Sequence, residues 1–261
     1  MTASPDFIQA MNRVATFFDS DYADFDDDLP VLEAYAARTG GPLLELGCGT
    51  GRALVPLAQA GYDVTGVELS PAMLARAQAR AEAAGVADRV RLIQGDYTTA
   101  PLAGPYKFAF IVMNTFLHLP DREAQLAALR HWRENLAPRG LLLIDVFHPD
   151  VAQLAALDGR MEWDKTWQDP ETGETIMKFV TRTLDVAEQT MHVTLIYEAV
   201  AADGQVRRTL VPFDARYLWR FEGELLLEQA GYAVEAVYGD WDMGPFENTS
   251  DRMIFVARRR R

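Results

Sequence analysis

Residues 43–52 read Leu43-Leu44-Glu45-Leu46-Gly47-Cys48-Gly49-Thr50-Gly51-Arg52. A short apolar run carries an acid near its carboxyl end. Glycines at alternate positions follow, and then a stretch of helical composition. Glycine lets a backbone adopt positive φ and approach a ligand closely, and open α/β sheets bind ligands outside the carboxyl ends of their strands. The dinucleotide fingerprint needs glycines at the first, third and sixth places. Counted from Gly47 the sixth place is Arg52, so the pattern here is Gly-x-Gly-x-Gly. Taken alone, these residues also fit a tight strand–helix turn with no ligand.

Moving outward, short apolar strands alternate with helical stretches over residues 41–147. Leu43 to Leu46, Val64 to Val67, Val90 to Ile93, Phe108 to Met113 and Leu141 to Val146 are five expected strands. Helices are expected over 52–60 and up to Ala84, the second opened by a Ser70 cap with Pro71 in its first turn and closed at Gly85. A third starts at Asp121, puts Leu126, Leu129, Arg133 and Leu136 on one stripe and stops at Pro138-Arg139-Gly140. Such alternation with short connections implies a parallel sheet with right-handed crossovers.

Residues 160–215 break the pattern. Four strand-like stretches are separated by Asp169-Pro170-Glu171-Thr172-Gly173, Val186-Ala187-Glu188-Gln189 and Ala202-Asp203-Gly204. Met177, Phe179 and Thr181, and then Val193, Leu195 and Tyr197, alternate with polar neighbours, which fits an antiparallel insertion with one wet face. Of Trp163, Trp167, Phe179, Tyr197, Tyr217 and Trp219, half are expected to be core and the rest free to line an aromatic pocket. A helix over 222–230, ended by Gly231, and strands at 233–238 and 253–256 close the chain.

Glu68 closes the second strand, roughly 20 residues past the glycine turn, the spacing at which an acid accepts from a ribose diol. NAD enzymes share that feature, and a helix N-terminal acid stabilised by the dipole also explains it. The third strand ends in Gly95-Asp96-Tyr97 and the fourth in Asn114-Thr115-Phe116-Leu117-His118. His118 and His148, both after strands, are candidate catalytic residues. For His118, base, ligand contact and structural roles stay open, and His148 is either a substrate contact or loop packing. His131 and His192 read as surface or packing residues. No His/Asp/Glu spacing suggests a metal site.

In this order the glycine turn, Glu68, Asp96-Tyr97 and the Asn114 segment resemble the motifs of class I S-adenosylmethionine-dependent methyltransferases of the bacterial small-molecule type. The resemblance covers residues 15–150 best. It implies an α/β fold: a Rossmann-like seven-stranded methyltransferase sheet in the order 3-2-1-4-5-7-6 with helices on both faces, plus an antiparallel β lid insertion. It implies S-adenosylmethionine as cofactor and S-adenosylhomocysteine as product. The loop of Glu45, Gly47, Cys48, Gly49 and Gly51 would pass under the methionine part. Glu68 would lie by the ribose, Asp96 and Tyr97 by the adenine, and Asn114 and Thr115 by the sulfonium, with Leu69 and Met73 as further cofactor contacts; an ordinary Asp turn also explains Asp96. Tyr22 would reach the methionine carboxylate or the methyl group, or else pack the first helix on the core. The divisions expected are an N-terminal helical cap over 1–40, the binding domain over 41–150 and 216–261, and the lid over 151–215.

The bulk numbers narrow the partners. The formal net charge is −13, against the basic face that grips phosphate backbones. The basic run 258–261 reads as a frayed tail. No secretory signal or membrane-length apolar run is visible and one cysteine, Cys48, stands alone. The expectation is a cytoplasmic enzyme, monomer or homodimer, with a small-molecule substrate and no nucleic-acid or membrane partner. It would move a methyl group to N or O by in-line attack. A non-catalytic S-adenosylmethionine-binding protein, an NAD(P)-dependent oxidoreductase and a protein or RNA methyltransferase are the rivals.

Overall fold

The computed structural model describes residues 5–260. Two helices open the chain, α1 (Pro5–Asp21) and α2 (Leu29–Thr39). Strands β1 (Leu43–Leu46), β2 (Val64–Glu68), β3 (Val90–Gln94), β4 (Tyr106–Ile111) and β5 (Leu136–Phe147) then alternate with helices α3 (Leu54–Gln59), α4 (Pro71–Ala83) and α5 (Arg122–Asn135). A short helix α6 (Val151–Ala155), absent from the sequence expectations, leads to a meander of β6 (Glu162–Gln168), β7 (Thr175–Asp185), β8 (Thr190–Val200) and β9 (Val206–Arg216). Helix α7 (Arg220–Gln229) and strands β10 (Tyr232–Tyr238) and β11 (Arg252–Arg259) complete it.

The seven-stranded sheet runs β10-β11-β5-β4-β1-β2-β3, the expected order, with β11 antiparallel to both neighbours. Successive side chains on a strand point to opposite faces, so the strands feed two cores. One packs Leu44, Leu46, Ile111 and Leu142 against Leu129 and Trp132 of α5 and Leu226 and Leu227 of α7. The other packs Leu43, Phe108, Phe110 and Leu143 against Leu32 and Tyr35 of α2 and Leu54 and Leu57 of α3. Local signals set the helix ends. Ser70 Oγ accepts from Met73 N at 3.2 Å and Asp121 Oδ1 from Ala124 N at 2.7 Å, satisfying first-turn amides that have no partner inside the helix. Gly85 takes φ 70° after α4.

Four expectations are corrected. Helix α3 starts at Leu54, not residue 52, because Gly51 at φ 79° holds a left-handed turn just before it. The buried side of α5 is Gln125, Ala128, Leu129 and Trp132, not the Leu126–Arg133 stripe. Trp132 fixes that rotation by donating Nε1–H to Tyr97 O at 2.8 Å. Pro138-Arg139-Gly140 is not a break: β5 already begins at Leu136, and the three residues form an irregularity in its pairing with β4, with Arg139 at φ 65°. The basic run is no frayed tail. Arg258 and Arg259 lie in β11, Arg258 pairs with Glu235 and Arg259 donates to Leu136 O, while Arg261 lies outside the described residues.

The β6–β9 sheet packs one face on α1. In β7 the buried positions are Ile176, Lys178 and Val180, one step off the Met177–Phe179–Thr181 set picked out by apolar alternation. Ile176, Tyr197, Ala199 and Val211 close around Ala10, Val14 and Phe17 in a third cluster, with the Phe17 and Tyr197 rings stacked at 4.5 Å. Asp21, the last residue of α1, is fully enclosed. It takes the Tyr197 hydroxyl at 2.8 Å, Lys165 Nζ at 2.8 Å and Lys178 Nζ at 3.0 Å. Removing one partner of such a set strands a buried charge, so Asp21 and Lys178 are worth more together than either alone. Of the six aromatics, Tyr197 and Tyr217 are core, whereas Trp163 is 63% exposed.

Candidate active site

The carboxyl edge of β1, β2 and β3 gathers the acids. Gly47 N and Cys48 N both donate to Val67 O, at 2.8 and 3.0 Å, which folds the glycine bend over the end of β2. Gly47, Gly49 and Gly51 all have positive φ, the conformation glycine reaches at least cost. A side chain at Gly47 would meet Thr115 Cγ2 at 2.6 Å, so the segment after β4 rests on this bend. Phe18 of α1 covers it from the other side, its ring 3.8 Å from where a Gly49 Cβ would sit.

Glu68 lies beside the bend. Its Oε2 accepts from Gly49 N at 3.1 Å and its Oε1 from Ser70 N at 2.8 Å. A carboxylate offers about four lone-pair sites, so the backbone donors leave acceptor capacity for a hydroxyl. Burial raises the Glu68 pKa above the ordinary carboxylate value, and the backbone donors at Ser70, Gly49 and Leu69 work against that rise. Glu45, on β1, is 3% exposed and its Oε2 has no hydrogen-bond partner. Desolvation pushes its pKa up to about 8, with the Arg52 cation opposing and Asp28 and Glu68 assisting. A buried carboxyl with an unused oxygen is the feature an incoming cation would satisfy.

Asp96 Oδ1 accepts from Thr98 N at 2.9 Å and Thr98 Oγ1 at 2.7 Å, closing a turn after β3. Tyr97 donates its hydroxyl to Thr115 O at 3.1 Å and so ties the β3 and β4 loops together. Asn114 has φ 63° and its Oδ1 accepts from Phe147 N at 2.6 Å. Glu45, Gly47, Gly49, Gly51, Glu68, Leu69, Asp96, Tyr97, Asn114 and Thr115 thus share one edge of the sheet.

Three candidates sit otherwise than the motif suggested. The Cys48 thiol points at Gly66 on β2, 2.6 Å from where a Cβ would be, and burial lifts its pKa well above the usual thiol value. Only its backbone faces the bend. Met73 is buried in the cluster that joins α1 to the β6–β9 sheet. The Tyr22 ring packs on Phe18 at 4.8 Å, with Lys165 and Lys178 Nζ 5.6 and 5.4 Å from its centre.

The histidines divide. His118 stands between Phe7 and Phe213, ring centres 5.3 and 5.1 Å away, with Nδ1 3.4 Å from Asp214 O. A carbonyl only accepts, so Nδ1 carries the proton and Nε2 the lone pair, and burial holds the pKa below the ordinary imidazole value. His148 is tied to the segment before β11: its Nδ1 meets Ser250 O at 2.8 Å, its N donates to Asp251 O at 2.9 Å and Phe246 packs edge-on. These contacts favour the loop-packing reading of His148. Among the described residues no three His, Cys, Asp or Glu side chains are grouped to hold a metal ion. None of the described helices is long and apolar enough to cross a membrane.

Sequence reading missed Asp145, fully buried near the end of β5, which accepts from Met113 N at 2.8 Å and pairs with Arg252. An acid inside the apolar run Leu141 to Val146 was the available signal. Gly66, the seat of Cys48, was also missed. Nothing in sequence pattern separates it from an ordinary strand glycine.

Comparison with known proteins agrees with this geometry. Residues 43–140 match a family model described as a methyltransferase domain. The chain is 28% identical over 232 residues to the cypemycin N-terminal methyltransferase of a Streptomyces species, covering 87% of each chain. It superposes on the CcbJ methyltransferase of Streptomyces caelestis with a TM-score of 0.80 at 24% identity, over 99% of this chain and 100% of that one. It also superposes on S-adenosylmethionine-bound CalS10, an amino pentose methyltransferase of Micromonospora echinaspora, with a TM-score of 0.71 at 24% identity over 93% and 96%. Residues 43–140 thus form a methyltransferase domain, and the whole chain has the fold of the S-adenosylmethionine-dependent methyltransferases it superposes on.

Proposed function

We propose that this methyltransferase acts on a nitrogen or oxygen of a small molecule held between the carboxyl edge of the seven-stranded sheet and the β6–β9 sheet. In this reading residues 1–40 are a cap, 41–150 and 216–261 the cofactor-binding domain, and 151–215 a substrate lid. One observation carries it. A glycine bend, the Glu68 carboxylate with spare lone pairs and the orphaned Glu45 oxygen meet at one edge, beneath α1. The cytoplasm, a monomer or homodimer, and the absence of a nucleic-acid partner belong to the same proposal, supported by the net charge of −13.

When bound, S-adenosylmethionine supplies a methyl group already activated on a sulfonium. The chain's own task is therefore positioning and exclusion of water. Glu68 would accept from the ribose hydroxyls, Asp96 and the Tyr97 backbone would hold the adenine, and the Gly47–Gly51 bend and Glu45 would hold the methionine part. Leu69 would pack the ribose side, while Met73, buried between α1 and the β6–β9 sheet, and Tyr22, packed on Phe18 just after α1, would support the site through packing. His118 Nε2 takes the proton of the attacking amine or hydroxyl. Similar proteins support the same reading: one is an N-terminal methyltransferase and another an amino pentose methyltransferase.

Titration calorimetry with S-adenosylmethionine and S-adenosylhomocysteine tests the cofactor site, and methyl transfer to a panel of amino sugars, short peptides and phenols tests the acceptor class. No saturable binding of either ligand below millimolar would refute the cofactor site. The same titration reads Glu45. Its carboxyl is largely protonated at pH 7 and a bound cation favours the ionised form. Binding is expected to release up to one proton and to tighten from pH 6 to 8. Heats measured in buffers of different ionisation enthalpy report the proton, and equal heats in all buffers would remove Glu45 from the site.

His118→Ala is expected to lower kcat by about 100-fold, the usual scale of a positioned base. With its pKa below the ordinary value, His118 stays neutral as pH falls through about 6.5. The acid limb of kcat/KM therefore lies below that value. Stability follows the same sign: the unfolded chain binds the proton first, so folding free energy is lost as pH drops under about 6.5. A wild-type rate in the variant would leave positioning alone as the mechanism.

A further inference from the structure

We propose that Asp145 and Arg252 are positioning residues for methyl transfer, acting together to hold the Met113–Asn114 step that sets Thr115 on the glycine bend. This rests on the reading of the carboxyl edge as the methyl-transfer site.

Met113 and Asn114 are consecutive non-glycine residues with φ of 57° and 63°. Left-handed backbone costs such residues about 1 kcal/mol or more each and persists only where surrounding contacts dictate it. Two hydrogen bonds do so here, and both come from the end of β5. Met113 N donates to Asp145 Oδ2 at 2.8 Å, and Phe147 N donates to Asn114 Oδ1 at 2.6 Å. The step carries Thr115 directly. Thr115 N and Oγ1 turn back to Val112 O at 3.2 and 2.7 Å, and its methyl lies against Gly47.

Asp145 is itself held from a third strand. Arg252, the first residue of β11, donates Nε–H to Oδ1 at 2.6 Å and Nη2–H to Oδ2 at 2.5 Å, a two-pronged grip on a fully buried carboxylate. The guanidinium is fixed in turn over the Trp241 ring, 5.6 Å from its centre. Charge-assisted, bidentate pairs of this kind give direction as well as energy. Neither residue touches β2 or β3, whose ends carry the ribose and adenine acids. Loosening the pair should therefore displace the loop beside the reacting atoms without dismantling the cofactor's adenosine cradle. A misplacement of about 1 Å at a reacting centre costs roughly 100-fold in rate.

The experiment compares Arg252→Met, Arg252→Lys and Asp145→Asn with wild type. Each is read by kcat on the amine or phenol of the panel that wild type turns over fastest, by S-adenosylhomocysteine affinity, and by amide hydrogen exchange. Arg252→Met is expected to lower kcat by 10- to 100-fold, with affinity within threefold of wild type. Amides of residues 113–116 should exchange at least tenfold faster, while those of β1 and β2 keep their protection. Arg252→Lys keeps the charge but not the fork and is expected to recover part of kcat; it also carries the comparison should Arg252→Met fail to fold. Wild-type kcat or unchanged exchange at 113–116 in a folded variant would overturn the inference, as would loss of affinity in step with kcat. Wild-type protein that binds neither S-adenosylmethionine nor S-adenosylhomocysteine would instead overturn the site reading beneath it.

Discussion

Glu68→Ala is expected to weaken S-adenosylmethionine binding at least 100-fold and to destabilise the protein at the same time. The two effects have separate causes. The affinity loss comes from the lone pairs left over after Gly49 N and Ser70 N are served. Two hydrogen bonds to a charged acceptor are worth about 1.5–3 kcal/mol each, and about 1.4 kcal/mol is tenfold in affinity. The stability loss comes from the two amides themselves, since a shielded donor left without an acceptor costs about 1–3 kcal/mol. Glu68→Gln separates them. One amide oxygen still serves one backbone donor, so the melting temperature should partly recover, whereas affinity should not. Calorimetry and thermal unfolding on the two variants check this. Near wild-type affinity in either one would take Glu68 out of the cofactor site.

Gly66→Ala is expected to be the most disruptive single methyl in the sheet near the site. Its Cβ would lie 2.5 Å from Leu54 Cδ1, 2.6 Å from Cys48 Sγ and 2.9 Å from Cys48 Cβ. None of these can withdraw freely. Leu54 is wholly buried, and Cys48 is pinned by its own amide to Val67 O at 3.0 Å. Overpacking costs about 1–3 kcal/mol, and with neighbours on two sides the upper end applies. At about 2–4 °C per kcal/mol for a chain near this size, the melting temperature falls by about 6–12 °C. Moving Cys48 moves the bend, so affinity for S-adenosylhomocysteine should fall more than tenfold. Adding Cys48→Ala removes the 2.6 Å clash and should return part of both losses. A second substitution that restores neither would show that the strain lies with Leu54 and not with the bend.

How far the sequence reached depended on how far apart the deciding residues lie. Ser70-Pro71, Asp121 and the Gly47–Gly51 spacing act within a few residues, so their caps and turns could be read directly, and the parallel order of the sheet followed. Register could not. Met177 and Phe179 look like the inward face of β7, yet α1 supplies the interior of that sheet and Lys178 turns inward to reach Asp21. Arg258 and Arg259 look like a tail until Glu235 and Leu136 O are placed beside them. Asp145 and Arg252 are 107 residues apart, and no local pattern announces that they meet. In the site the acids at strand tips were legible because topology alone puts them on one edge. The direction of the Cys48 thiol and the burial of Met73 were not, because packing of neighbouring elements decides both.

Helix α1 and the β6–β9 sheet share an interior that neither owns. Val14 and Phe17 come from near one terminus, and Ile176, Tyr197 and Val211 from far along the chain. Protein engineers exchanging parts between relatives inherit this constraint. A chimera that borrows residues 151–215 must bring residues 5–21 with them, or the transplanted piece arrives with half of its filling missing and with Lys165 and Lys178 deprived of their Asp21 carboxylate.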